Sequence, residues 1–175
     1  MAIELDDYTK NCEAENGGID EFIIYNICDR ASYTLDDGVV TAMTMKNGTQ
    51  AYSWTPDMES ATAGETTTRS RANNSVFHAQ TAMIMFKEDS NAVVDLVANA
   101  GKGFFGIIVK KSDPDGSVYR HLGLVNGMTL ETAEGVLGQL YEDLRGHTLN
   151  FVGKELAKAP SISLVIVASL LVPAS

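Results

Sequence analysis

Apolar and polar positions follow two different periods along this chain. Over residues 77–86, 104–111 and 117–125, apolar residues form runs of strand length bounded by turn formers. The last two runs predict a hairpin. Phe105, Ile107 and Val109 share a face of one arm, and Val118, Leu122 and Leu124 a face of the other. Asp113, Pro114, Asp115 and Gly116 supply the turn. Between these strands the period changes. Val93, Leu96, Val97 and Ala100 recur at spacings of three and four, which predicts one short amphipathic helix from Ser90 to Ala100. Asp89 or Ser90 is placed to cap its first amides, and Gly101 to stop it.

The flanking segments read mainly as strands. Residues 19–28 alternate imperfectly, as a strand covered on both faces does. Asp36-Asp37-Gly38 marks a turn. Asn47-Gly48 between 39–46 and 49–54 predicts a second hairpin, because both residues tolerate positive φ. Residues 128–146 read as a strand to about Leu137 with bulges at Gly135 and Gly138, or as partly helical over 139–144. Residues 147–153 read as a strand, 154–160 as a basic loop, and 162–172 as a final buried strand. The expected class is mainly β with one short α-helix (α+β), a β-sandwich or half-barrel. Residues 1–18 form a polar N-terminal arm and 19–175 a single domain.

Residues 55–75 break this pattern. After Met58 the segment has almost no large apolar side chain, and it is long for a connection in a compact domain. Glu65, Thr66, Thr67, Thr68, Arg69 and Arg71 suit an extended polar strand with nothing to bury in its own subunit. The segment is therefore expected to be a long loop, mobile in the monomer and ordered between subunits.

Charge sharpens the picture. The net charge is −10, and residues 1–60 carry −9 of it. Such a surface repels nucleic acid and anionic membranes. A hydrophobic content of 45% argues against general disorder. The start is acidic, unlike a secretory signal, and the apolar run at 162–172 is too short for a bilayer helix of about 20 residues. No membrane partner is expected. Cys12 and Cys28 are expected to be reduced.

Candidate chemistry is sparse. Gly101-Lys102-Gly103-Phe104-Phe105-Gly106 spells a dinucleotide fingerprint, but a helix precedes it and a strand follows, the reverse of what a pyrophosphate site needs. His78, His121 and His147 each stand alone, as surface or strand-face residues do, and zinc would need four convergent ligands. Asp113 and Asp115 with Gly116 are a turn without the remaining ligands of a calcium loop. No nucleophile motif occurs. Neither an enzyme activity nor a cofactor is expected.

The hairpin at 104–125, with Asn126-Gly127 behind it, resembles the central part of tail tube subunits of long-tailed bacteriophages. So does the run containing Asp143, Arg145, Gly146, Thr148 to Val152, Gly153, Lys154, Glu155, Ala159 and Pro160. Cys12 followed by Gly17-Gly18-Ile19 and an apolar strand resembles the start of such subunits from phages of the Bacteroidetes type. The resemblance covers about residues 12–160 and leaves 162–172 unplaced. It implies a tube-type sandwich that completes a barrel on oligomerisation, with hexameric rings stacked into the virion tail. It further implies assembly in the host cytoplasm, other tail proteins as partners, and transient, non-specific passage of DNA. Residues 55–75 resemble the loop such subunits extend onto a neighbour. An acidic inner wall would let phosphates slide, with Asp36, Asp37 and Glu131 as lumen candidates. A capsid decoration protein, a tail terminator, or an Hcp-like ring of a type VI secretion conduit would share the β-rich, acidic, motif-free character.

Overall fold

The computed structural model describes residues 18–57, 59–87, 90–111, 118–137 and 145–174. The strands are β1 (Ile19–Asn26), β2 (Arg30–Asp36), β3 (Val39–Met45), β4 (Tyr52–Trp54), β5 (Ala61–Ser70), β6 (Ser75–Phe86), β7 (Phe105–Lys111), β8 (Val118–Leu122), β9 (Thr129–Val136), β10 (Gly146–Glu155) and β11 (Ser161–Ser163). The helices are α1 (Asn91–Ala100) and α2 (Leu164–Leu170), with a 3-10 turn at Ile27–Asp29. A seven-stranded sheet has the order β2-β3-β11-β8-β7-β1-β4, and a four-stranded sheet the order β5-β6-β10-β9.

Two apolar clusters explain this layering. Between the sheets, Phe22, Ile24, Ile107, Val109 and Leu122 meet Ala82, Ile84, Leu149 and Phe151, with Ala100 of α1 at the margin. Leu96 and Val97 pack against the same cluster, so the helical periodicity points inward as expected. On the other side of the seven-stranded sheet, Ile23, Tyr25, Ile108 and Tyr119 meet Val40, Met43 and the α2 residues Val167 and Leu170. The four consecutive residues Phe22 to Tyr25 are therefore all buried, which accounts for the imperfect alternation of β1.

The β7–β8 pairing follows the pattern, with Ile107 opposite Leu122 and Val109 opposite Arg120. Its Asp113–Gly116 turn lies outside the described residues. Leu122 and Leu124 do not share a face, however. Gly123 adopts φ +64, which breaks the two-residue period and sends Leu124 to the α2 side. Gly135 is not a bulge, since it pairs in register with His147. The register shifts instead between Asn150 and Phe151, leaving Glu131 as the extra residue of β9. The reading of 139–144, Gly138, the Asp89 cap and the arm upstream of Gly18 also lie outside the described residues. Ser90 caps α1 by position without a side-chain bond.

The expected hairpin over 39–54 does not form. β3 pairs with β2 through the two-residue turn Asp37-Gly38, whose φ values of +46 and +74 match the twist of the strands. Gly48 does take φ +79, but the chain beyond it is captured elsewhere. The Gly48 amide donates to Ala174 O, the Ala51 amide donates to Leu170 O, and β4 pairs with β1. Replacing Gly38 with alanine is expected to cost about 1 kcal/mol, measured by urea denaturation. No atom lies within 4 Å of the added methyl, so the cost is purely that of the backbone. An unchanged midpoint would contradict the positive-φ turn.

Two further expectations are corrected. Residues 162–172 are not a strand: β11 ends at Ser163 and α2 follows, giving a second helix. Val167 and Leu170, three apart, are buried while Val165 is 80% exposed, so the tertiary contact overrides β-branched propensity. Residues 55–75 are not simply a loop. β5 pairs with β6 over ten residue pairs, from Ala61–Ile84 to Ser70–Ser75. The backbone partner this polar segment requires is supplied by its own chain.

Candidate assembly surface

The four-stranded sheet buries one face against the core and leaves the other open. β6 and β10 are central, and β5 and β9 are its edges. The open face carries a shallow groove of about 420 Å³ lined by Thr62, Thr81, Met83, Thr132, Thr148 and Asn150, together with Glu134. Hydroxyls, an amide and a thioether dominate, and Glu134 is the single charged group of that lining. Among the described residues, no strand hydrogen-bonds to the outer edge of β5 or β9. Such edges are templates for pairing with another chain.

The buried face is held by a polar layer. Gln80 Nε2 donates to Glu65 Oε2 at 2.9 Å, and the Ala159 amide donates to the same oxygen at 2.7 Å. The Gly123 amide donates to Gln80 Oε1 at 2.8 Å. The Val125 and Asn126 amides donate to Glu155 Oε1 at 3.1 and 2.8 Å. These bonds tie the β8–β9 and β10–β11 connections between the two sheets to β5, β6 and β10. Gln80 and Glu155 are almost fully buried, so each satisfied bond avoids a desolvation cost.

The structure divides the six candidate residues of the polar segment. Glu65 is committed inside, as above. Thr67 Oγ1 lies 2.9 Å from His78 Nδ1, and His78 Nδ1 is 4.0 Å from Glu65 Oε1. Thr66 and Thr68 are exposed opposite Ala79 and Phe77. Arg69 donates to Asn74 Oδ1 at 2.9 Å across the β5–β6 turn, and Arg71 is exposed at that turn. The acidic candidates are not brought together. Asp36 and Asp37 sit at the β2–β3 turn of the larger sheet, and Glu131 is the bulged residue of β9 in the smaller one. Sequence reasoning missed Glu134. Its membership of the open face depends on the bulge one turn of the pleat earlier, which no local signal marks.

The histidines are not all surface residues. His78 is 8% exposed, and His121 is fully enclosed. His121 Nε2 lies 2.8 Å from the Tyr25 hydroxyl, and Arg30 donates to the same hydroxyl at 3.5 Å and also to Leu124 O. With a guanidinium donating to the phenol, the phenol proton is directed at Nε2, which accepts as a neutral imidazole. His121 Nδ1 has no hydrogen-bond partner. Burial, and next the nearby Arg30 charge, lower the His121 pKa to about 3. Burial pushes the Tyr25 hydroxyl up to about 12, against the opposing pull of Arg30.

Cys28 is an exposed free thiol, and Cys12 lies outside the described residues. Among the described residues, no three His, Cys, Asp or Glu side chains converge as a metal site requires, and no helix is long and apolar enough to cross a membrane. Comparison with family models, curated proteins and solved structures gives no match to this chain.

Proposed function

We propose that this chain is a structural subunit that assembles through its smaller sheet, and specifically a tail tube protein of a long-tailed phage. The observation that carries the reading is the four-stranded sheet with two long open edges and one uncovered face of low charge. Joining β5 of one copy to β9 of the next extends the sheet from subunit to subunit. A ring of copies closes those edges within a layer, and head-to-tail contacts between layers propagate a tube. The uncovered face then lines the bore. Its groove of threonine, asparagine and methionine offers a phosphate backbone no cation, and Glu134 adds repulsion. Lys154, farther along the same face of β10, sits over the Phe77 ring. Asp36 and Asp37, on the larger sheet, would lie away from that bore.

The test is negative-stain microscopy and sedimentation of the purified full chain over a range of concentrations. Rings that stack into tubes of uniform diameter are the expected result. Uniform trimers, or rings that never stack, would favour a decoration protein or a tail terminator. A monomer at every concentration would end the assembly reading.

A further inference from the structure

Trp54 is the single tryptophan of the chain, and it stands in the wall of a half-open groove of about 440 Å³ between α1 and the edge strand β4. That volume suits a small molecule. Two surfaces make the groove. Ala92, Asp95, Leu96 and Asn99 recur at spacings of three and four, so they form one stripe of α1. Tyr52 and Trp54 lie two apart on one face of β4, opposite Ile24 and Phe22 of β1. Phe105, at the start of β7, and Asp29, in the turn after β1, also line it.

Packing fixes most of the aromatic wall. Trp54 stacks on Phe22 with centroids 5.8 Å apart and meets Phe86 edge-on at 5.4 Å. Phe105 is held edge-on by Phe151 at 6.1 Å. Tyr52 is 59% exposed, and among the described residues its ring packs on no other ring. The charge of the groove is one-sided. Its lining holds Asp29 and Asp95 and no lysine, arginine or histidine. Among the described residues, the ion pairs are His78–Glu65 and Lys87–Asp57, so neither groove carboxylate has a cation. Lys46 and Lys102 reach its margins, but they donate to neutral acceptors, Cys28 O at 2.6 Å and Asn99 Oδ1 at 3.5 Å.

We propose that this groove binds a small organic cation, an ammonium carried on a flat apolar body. The apolar body packs against Trp54, Phe105 and Leu96, which are already in place to receive it. The ammonium takes the negative face of an aromatic ring and the unpaired carboxylates as its partners. A neutral ligand of the same shape gains the apolar contact alone. An anion is repelled by both carboxylates. The groove lies at the edge of the larger sheet, away from the open face of the smaller one. The inference therefore stands apart from the tube reading and needs no second copy.

Trp54 fluorescence reads occupancy directly, because no other tryptophan contributes. The full chain is titrated with phenethylammonium, with its neutral counterpart phenethyl alcohol and with the anion hydrocinnamate, and calorimetry is run on the same samples. The ammonium is expected to bind about tenfold more tightly than the alcohol, and the anion not to bind. Asp29→Asn with Asp95→Asn should weaken the ammonium about tenfold, to the level of the alcohol, and leave the alcohol unchanged. Tyr52→Ala, at an exposed position, should weaken the ammonium about fivefold. Circular dichroism checks that the variants fold. Equal binding of ammonium and alcohol by the native chain would overturn the proposal, whatever the variants do. So would neither a fluorescence change nor heat with the ammonium, or an unchanged ammonium affinity in the double asparagine variant. Tubes from a chain that binds no ammonium would sink this inference and leave the tube reading intact. Ammonium binding by a chain that never assembles would do the reverse.

Discussion

At pH 4 the domain is expected to be less stable than at pH 7 by roughly 3 kcal/mol on account of His121 alone. Its folded pKa is depressed, to about 3 from an ordinary 6.5. The unfolded chain therefore binds a proton as the pH falls through 6.5, while the folded chain does not until about 3. The contribution is fully present above 6.5 and is lost progressively on acidification toward 3. Each pH unit in that window is worth about 1.4 kcal/mol. The geometry supplies the reason. Protonation puts a second cation beside Arg30 in a fully enclosed site, and it removes the lone pair that accepts from Tyr25. The measurement is urea denaturation at pH 7, 6, 5 and 4 for the native chain and for His121→Gln, which keeps hydrogen-bonding capacity without titrating. The variant is expected to lose the steep part of the pH dependence. Parallel curves for the two proteins would remove His121 from the account.

Gly106→Ala is expected to lower stability by about 3 kcal/mol, a fall in Tm of roughly 6–12 °C for a chain this size. Tyr25 and Gly106 are direct cross-strand partners of β1 and β7. The tyrosine ring lies across the glycine, so a methyl group there would overlap the ring and its hydroxyl. The ring has nowhere to go. It is 1% exposed, packs edge-on to His121 with centroids 5.7 Å apart, and holds the hydrogen bond described above. Gly64→Ala is the control. Its added methyl meets only Thr81 Oγ1 at 3.5 Å, an ordinary contact, and should change stability by less than about 0.5 kcal/mol. Calorimetry on both variants checks the contrast. Similar Tm values for the two would show that the Tyr25 ring is not confined.

What could be read in advance was local. α1, β6, β10 and the β7–β8 pair announce themselves because their periodicity and turn residues lie within one short window. The segments misread were those settled by distant partners. Residues 49–54 carry a good hairpin signal, yet the strand goes to β1 because Phe22 and Ile24 offer a buried neighbour. Residues 162–172 are rich in β-branched side chains, yet α2 forms because Val167 and Leu170 complete the cluster beneath β3. His121 looked like any strand histidine, and only Tyr25 and Arg30, far from it in sequence, mark its site as internal. The polar segment was recognisable as unusual by composition. Glu65, Thr67 and Arg69 share one strand face, and Glu65 is drawn into the polar layer by Gln80 and the Ala159 amide, partners distant in sequence that no local pattern marks.

The position of β11 makes three residues near the end of the described chain the closing piece of the larger sheet. β11 sits between β3 and β8, pairing Ser161 with both Val39 and Arg120. Without residues 161–163 the larger sheet is two pieces, β2-β3 and β8-β7-β1-β4. The smaller sheet needs nothing beyond Glu155. Its four strands can thus pair before the other sheet closes.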